Sequence, residues 1–426
     1  MKKSNSISYN RYDLMILVLI ISQISGRYFG IMNPILFVVL LFSPYLFKSL
    51  QGSTKKLVKP FWLFFAFWTL YNFCSLLWAP LFVKSLYYCF LFFINFLLFL
   101  EIIVFSDKTS KPHSTIAIGW LIAFLLTSFV GIWELRTGHH LSIAKEHLSR
   151  ENFSADEAIG SYTSVTFYNI NSYAIYILEV IPFLFYTMAS KSTIKMKVLA
   201  FYCGLIAMVF LFVDGSRGAS ISLVVMFLVF IYFMMKGGKR NIAWIILIIG
   251  VLVYVFCSFG DAILGLILYR MENSGFEDNS RMVLYEKSLE LIVNSCGIGT
   301  GVGSMVPAME AQGNMYNIFF SHNLFLEFLM QFGFIIFLGF LYYLYKLFIL
   351  ARKVQLSSKV VVYCALFGLP FYSIINSEYT HLHYVWCYFA SLFVYASSNY
   401  ADNHAYQECC VKHSARFENQ VNKGRG

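Results

Sequence analysis

Long apolar runs, nearly empty of charge, constrain this chain more than any other feature of its sequence. Leu324 to Leu350 is one such run. About twelve of them, roughly 17 to 27 residues each, start near Asp13, Met32, Pro60, Phe82, Thr115, Ser172, Lys197, Gly218, Asn241, Asn323, Lys359 and His383. That length crosses a hydrocarbon core of about 30 Å as an α-helix. No stretch alternates as a barrel strand would, so backbone polar groups must be satisfied within helices. Composition agrees: 59% hydrophobic and 13% charged residues over 426 positions, with a mean hydropathy of +0.66, do not suit a water-soluble globule. The expected fold is an all-α polytopic integral membrane protein of about twelve transmembrane helices. It forms one membrane domain over residues 1–398, followed by a tail at 399–426.

The net charge of +10 does not mark a nucleic-acid surface, because the basic residues follow the loops. With the N-terminus placed in the cytoplasm, twenty-three of the 32 lysines and arginines fall on that side, including Lys55, Lys56, Lys59, Lys236, Lys239 and Arg240. The positive-inside rule then puts both termini in the cytoplasm. Lys2, Lys3 and Arg11 precede a first run without a small-x-small cleavage site, so that run is expected to remain as an anchor. Of nine cysteines only Cys296 lies well inside an outer loop, which argues against a disulfide framework; Cys409 and Cys410 lack a second metal-spaced pair.

Two outer connections are long, 136–171 and 261–321, and long loops tend to carry function. In the second, Met282, Leu284, Leu289, Ile292 and Val293 interleave with Arg281, Glu286, Lys287 and Glu290, the pattern of an amphipathic helix lying along the outer surface. Gly297, Gly299, Gly301 and Gly303 follow it. They have no strand before them, so they are no dinucleotide fingerprint and read as a turn that permits close backbone approach.

Three outer cations and one histidine stand out. Arg217, after Ser216 in a short turn between two spans, is either an anion clamp, for which its planar fork suits phosphate, or an interfacial arginine pairing with Asp214 or lipid headgroups. Arg281 is expected in the first turn of the surface helix, where backbone N–H groups and guanidinium would face one anion; a solvated helix arginine is the alternative. Arg136 is a third outer cation, or simply a helix-ending charge beside a glycine turn. His322 precedes a membrane helix with Ser321 as the expected N-cap. The positive end of that helix disfavours an imidazolium, which suits a base near pH 7, although an interfacial histidine bonded to a loop carbonyl has the same sequence. Asn323 and Glu327 stand four apart on one helix face, an amide partner for a membrane acid. Glu101 and Glu179 are further membrane acids without an assigned role, and the outer loops offer no carboxylate cluster for a metal.

At these residues the chain resembles the O-antigen ligase and O-antigen, capsule or exopolysaccharide polymerase family of membrane glycosyltransferases. The resemblance runs from Gly131 to Phe340. It rests on Trp133-Glu134 to Gly138-His139-His140, Phe167 to Pro182 with Asn169 and Asn171, Gly215-Ser216-Arg217-Gly218-Ala219, Ser280-Arg281 leading to Gly299, Gly301 and Gly303, and Ser321 to Glu327 with Gly333. Ile170 and Ile336 depart from the pattern, where a proline and a glycine are common. The resemblance implies a GT-C-like fold and transfer of a glycan from undecaprenyl pyrophosphate to an acceptor sugar. That transfer would take place on the outer face of a bacterial inner membrane, without cofactor or metal and with inversion. By it, His322 matches the base, Arg217 and Arg281 match the groups that bind pyrophosphate, and Ser216, Arg136, Asn323 and Glu327 are supporting residues. Membrane lipid and a chain-length regulator protein are implied as partners. The first expectation is a polymerase joining lipid-linked repeat units, the second a ligase moving polymer to lipid A core. From other classes come a lipid-linked sugar transporter, which would show related halves and interrupted helices, and a non-catalytic assembly protein.

Overall fold

A computed structural model describes residues 10–26, 33–50, 59–143, 162–237, 250, 275–313 and 320–397, and every regular element among them is helical. The helices are α1 Arg11–Ser22, α2 Pro34–Leu50, α3 Lys59–Ser75, α4 Phe82–Ser106, α5 Pro112–Thr137, α6 Ile170–Ala189, α7 Ile194–Asp214 and α8 Arg217–Lys236. They continue as α9 Gly275–Asn294, α10 Met305–Ala311, α11 Leu324–Ala351, α12 Leu356–Tyr372 and α13 at 383–397. Six of them, α4 to α8 and α11, are long and apolar enough to cross a membrane; α2 and α12 are shorter apolar helices. The span expected from Asn241 and the tail at 399–426 lie outside the described residues.

Helix ends follow local chemistry. Asn10 caps α1 by accepting from the Tyr12 and Asp13 N–H groups, and Asp13 returns the bond to the Asn10 N–H at 2.9 Å. The same Asp13 accepts from Thr115 Oγ1 of α5 at 2.7 Å, tying two neighbouring helix starts together. Pro112 opens α5, and Gly138 and Gly215 close α5 and α7 in left-handed conformation, where a side chain would be strained. The core between the helices is aromatic: Trp68 lies 4.5 Å from Phe92, 4.8 Å from Phe328 and 5.5 Å from Trp386, ring to ring.

The long run from Leu324 is not one straight span. Gly333 inside α11 has φ +72 and ψ −175, a conformation no helix contains. Residues twelve apart on a straight helix are roughly 18 Å apart, yet the rings of Phe328 and Phe340 stack at 4.3 Å. Leu324 and Phe340 line the same small void with Phe65 and Phe389. Residues 324–332 are therefore a half-helix folded back along the remainder of α11, and 334–351, eighteen residues or roughly 27 Å, approaches the length of a span by itself. His322 thus precedes a half-helix that turns into the bundle, not the outer end of a membrane helix as the apolar run suggests.

The glycine run fills the break. The Phe334 N–H donates to the Gly297 carbonyl at 2.8 Å, Thr300 N–H to Met330 at 2.7 Å and Gly301 N–H to Gln331 at 3.1 Å. A Cβ on Gly299 would stand 2.6 Å from the Gln331 carbonyl oxygen, and one on Gly303 would enter the Tyr88 ring. Ahead of the run, α9 splits its apolar residues between two faces: Leu284 and Ile292 pack on Met305, Met309 and Met330, whereas Met282, Leu289 and Val293 are exposed.

Gly333→Ala should cost several kcal/mol, because the left-handed φ is unfavourable for alanine and its Cβ would meet the Gly297 and Ile298 carbonyls. The expected outcome is a markedly lower melting temperature in detergent; an unchanged one would show that the helix can straighten.

Candidate functional site

Arg281, His322 and Glu327 converge on one stretch that links α12 to α13, residues 373–382, here called the strap. Gly218 packs against α12, its missing Cβ leaving 2.9 Å to the Phe371 carbonyl oxygen and to Ile375 Cγ1. That close approach sets Arg217, the exposed first residue of α8, beside the start of the strap. From the other side Arg281 Nη1 reaches the Ile374 carbonyl at 3.5 Å, a weak bond. The His322 N–H donates to Ser377 Oγ at 2.7 Å and the Leu324 N–H to the Ser373 carbonyl at 2.8 Å. One segment therefore bonds to Arg281 and to the histidine loop and packs on the glycine that follows Arg217.

Glu327 is fully buried and holds the strap from below. Its carboxylate accepts from Tyr379 N–H at 3.2 Å, Thr380 N–H at 3.4 Å and Thr380 Oγ1 at 3.0 Å. The expected Asn323 amide partner is occupied elsewhere: Asn323 Oδ1 accepts from the Phe325 and Leu326 N–H groups and is the N-cap of α11. Ser321, expected as the cap, instead donates to the Asn323 carbonyl at 3.4 Å. His322 itself has φ +47, left-handed and unusual for a side chain of its size.

Arg281 also differs from expectation. α9 begins at Gly275, so Arg281 is its seventh residue and not in the first turn; its own backbone N–H lies beyond the unpaired donors of the helix start.

The segment at 162–165 is clamped by two buried acids. Asp214 accepts from Thr163 N–H and Oγ1, both at 2.7 Å, and Glu134 accepts from Ser164 N–H at 2.9 Å and Val165 N–H at 3.0 Å. His140 Nδ1 lies 3.4 Å from Glu134 Oε1 while its ring stacks on Tyr162 at 3.7 Å. These are charge-assisted bonds of the stronger kind, fixing a loop at the helix ends next to Arg217. Ser216 precedes α8 without a side-chain capping bond, and Arg136 sits in the last turn of α5, lining a groove against Leu205, Val209 and Phe210 of α7 and not the strap. Glu101 and Glu179 are buried within α4 and α6. Among the described residues no group of three histidines, cysteines or carboxylates is placed to hold a metal.

Sequence reading missed the strap. Its signal was present as Asn376-Ser377-Glu378-Tyr379-Thr380-His381, a polar interruption between α12 and α13, both shorter than a standard span. Glu378 stands at φ +62 and accepts from Tyr88 Oη at 3.1 Å; His381 stacks on the Tyr88 ring at 4.0 Å. Lower down, Asn95 Oδ1 meets His383 Nδ1 at 2.6 Å and Asn95 Nδ2 donates to the Thr380 carbonyl at 3.4 Å.

The fold and site define a multi-pass helical membrane protein with a polar, partly irregular centre built from distant segments. Residues 202–341 match the family described as O-Antigen ligase. It is also similar to the teichuronic acid biosynthesis protein TuaE of Bacillus subtilis (strain 168), 25% identical over 284 residues. That match covers 64% of this chain and 56% of the relative, so the chain spans little more than half of that protein's length. The family segment contains Arg217, Arg281, His322, Asn323 and Glu327, and ends before the strap.

Glu327→Ala should leave two buried amides and a hydroxyl of the strap without their acceptor, at a cost of roughly 3 kcal/mol. A thermal melt in detergent should move down accordingly, with Glu327→Gln intermediate because one oxygen remains; a melt unchanged by either would remove the strap's anchor.

Proposed function

We propose that the protein is a metal-independent, inverting glycosyltransferase that polymerises a surface polysaccharide. It would transfer a glycan from undecaprenyl pyrophosphate to the acceptor sugar of another lipid-linked repeat unit. What supports this most is that Arg217, Arg281 and His322 all lie within the matched segment 202–341, with Arg281 and His322 bonded to the strap and Arg217 one residue from the strap's contact with Gly218, though Arg217 and His322 stand 105 residues apart in sequence. In this reading the acceptor hydroxyl gives its proton to His322 as its oxygen attacks the anomeric carbon. The bond from that carbon to the pyrophosphate oxygen breaks, the electron pair leaves with the lipid pyrophosphate, and Arg217 and Arg281 stabilise the departing charge. Single displacement inverts the carbon. Pyrophosphate leaves readily without a general acid. Ser216, Arg136, Asn323 and Glu327 support the site, the last two by fixing the half-helix and strap.

The same proposal carries the membrane arrangement: about twelve spans in a bacterial inner membrane, GT-C-like, with both termini cytoplasmic and the strap end of the bundle outside. Membrane lipid and a chain-length regulator are its partners. Ligation of finished polymer to lipid A core is the second reading, favoured by the description of the family model. The similarity to a protein named for teichuronic acid biosynthesis supports polymerase first. A lipid-linked sugar transporter is the third, because a helix interrupted as α11 is at Gly333 is a device transporters use.

Purified protein supplied with lipid-pyrophosphate glycan should lengthen the glycan and release lipid pyrophosphate; neither product with wild type would sink both enzymatic readings. His322→Ala should slow release by at least about 100-fold with folding intact. Arg217→Lys keeps charge but loses the fork, and should also lose most transfer; near-normal kinetics would make Arg217 an interfacial anchor.

A further inference from the structure

We propose that Ser377, in the strap and outside the family segment, is a positioning residue for His322. The inference rests on the glycosyltransferase reading, since it concerns what aims the proposed base. His322 holds a left-handed φ of +47, and a strained backbone at such a residue persists only where its surroundings over-determine it. On one side, Leu324 N–H is tied to the Ser373 carbonyl and Asn323 caps the half-helix. At the residue itself, the only backbone donor bonds to Ser377 Oγ at 2.7 Å.

Ser377 is well placed to act as a fixed acceptor. It is buried, with 6% of its surface exposed. Immediately after it, Glu378 is also left-handed and accepts from Tyr88 Oη. Tyr379 and Thr380 are bound through their N–H groups to Glu327, which belongs to the same half-helix that His322 precedes. Just before it, Asn376 Nδ2 donates to Ser172 Oγ of α6 at 2.8 Å. The serine hydroxyl is thus held by α4, α6 and α11, and transmits their positions to one peptide of the histidine loop. Removing that hydroxyl takes the acceptor from the His322 N–H while the Leu324–Ser373 and Glu327–Thr380 bonds to the strap remain, so the change is confined to the peptide of the histidine.

The test compares Ser377→Ala with Ser377→Thr in the full-length protein. The expected result is that Ser377→Ala lowers kcat for lipid-pyrophosphate release by about 10- to 100-fold, as a misplacement of roughly 1 Å can, while KM for the lipid donor stays within about twofold of wild type. Ser377→Thr, which keeps the hydroxyl, should restore most of kcat. Amide hydrogen exchange of the peptide containing His322 should quicken in Ser377→Ala and not in Ser377→Thr. Wild-type kcat in Ser377→Ala, a loss that threonine does not rescue, or unchanged exchange would each overturn the proposal. If wild-type protein released no lipid pyrophosphate, the glycosyltransferase reading would fall, and the exchange comparison alone would decide whether Ser377 fixes the histidine loop.

Discussion

Backbone that is neither helical nor open to water sets the terms for this protein. Inside a membrane bundle every N–H and C=O must find a partner within the protein, at a cost of several kcal/mol for each one that does not. Three irregular pieces meet here and supply one another: the glycine run, the half-helix before Gly333 and the strap. The glycine run lends its N–H groups to Met330 and Gln331 and its Gly297 carbonyl to Phe334, closing the break. Glu327 and Ser373 do the same where the half-helix meets the strap. The half-helix is the piece that bonds to both of the others.

The acids show a related division of labour. Asp214 and Glu134 are spent on Thr163, Ser164 and Val165, and Glu327 on Tyr379 and Thr380, so each acts first as an acceptor for backbone. A carboxyl group that takes two main-chain donors is well suited to fix a loop, because it satisfies two buried N–H groups at one point. Around the proposed pyrophosphate site the cations are thereby carried on well-anchored elements, and the histidine loop on a segment held from several helices.

Most helices were legible because a long apolar run is a strong local signal: the starts expected near Phe82, Ser172 and Gly218 fall within two residues of α4, α6 and α8. The break was not, since hydropathy counts Gly333 as one more small residue and cannot report its φ. The cap of α11 was misplaced because Ser321 and Asn323 are both capping types, and only the bonds to Phe325 and Leu326 choose between them. Arg281 was set too near the helix start, as the run Glu277-Asp278-Asn279-Ser280 before it is polar and holds capping residue types. Arg217 and His322 were visible as polar residues at span ends, and Arg281 as a cation in the amphipathic loop helix. Their common neighbour was not, because the strap lies some fifty residues beyond His322 and pairing over that distance leaves no local pattern.

The bonds that close the half-helix have a consequence for biogenesis. Leu324, Glu327 and His322 find their partners in Ser373, Tyr379, Thr380 and Ser377, all of which are synthesised later. While the chain emerges, the half-helix has its Asn323 cap and its bonds to the glycine run, but the Leu324 N–H lacks its Ser373 acceptor and the buried Glu327 lacks its Tyr379 and Thr380 donors. Those bonds form only when α12 and the strap arrive. The centre of this protein is therefore completed last, and a nascent chain ending before Ser373 holds all the residues of the family segment without the framework that would bring them together.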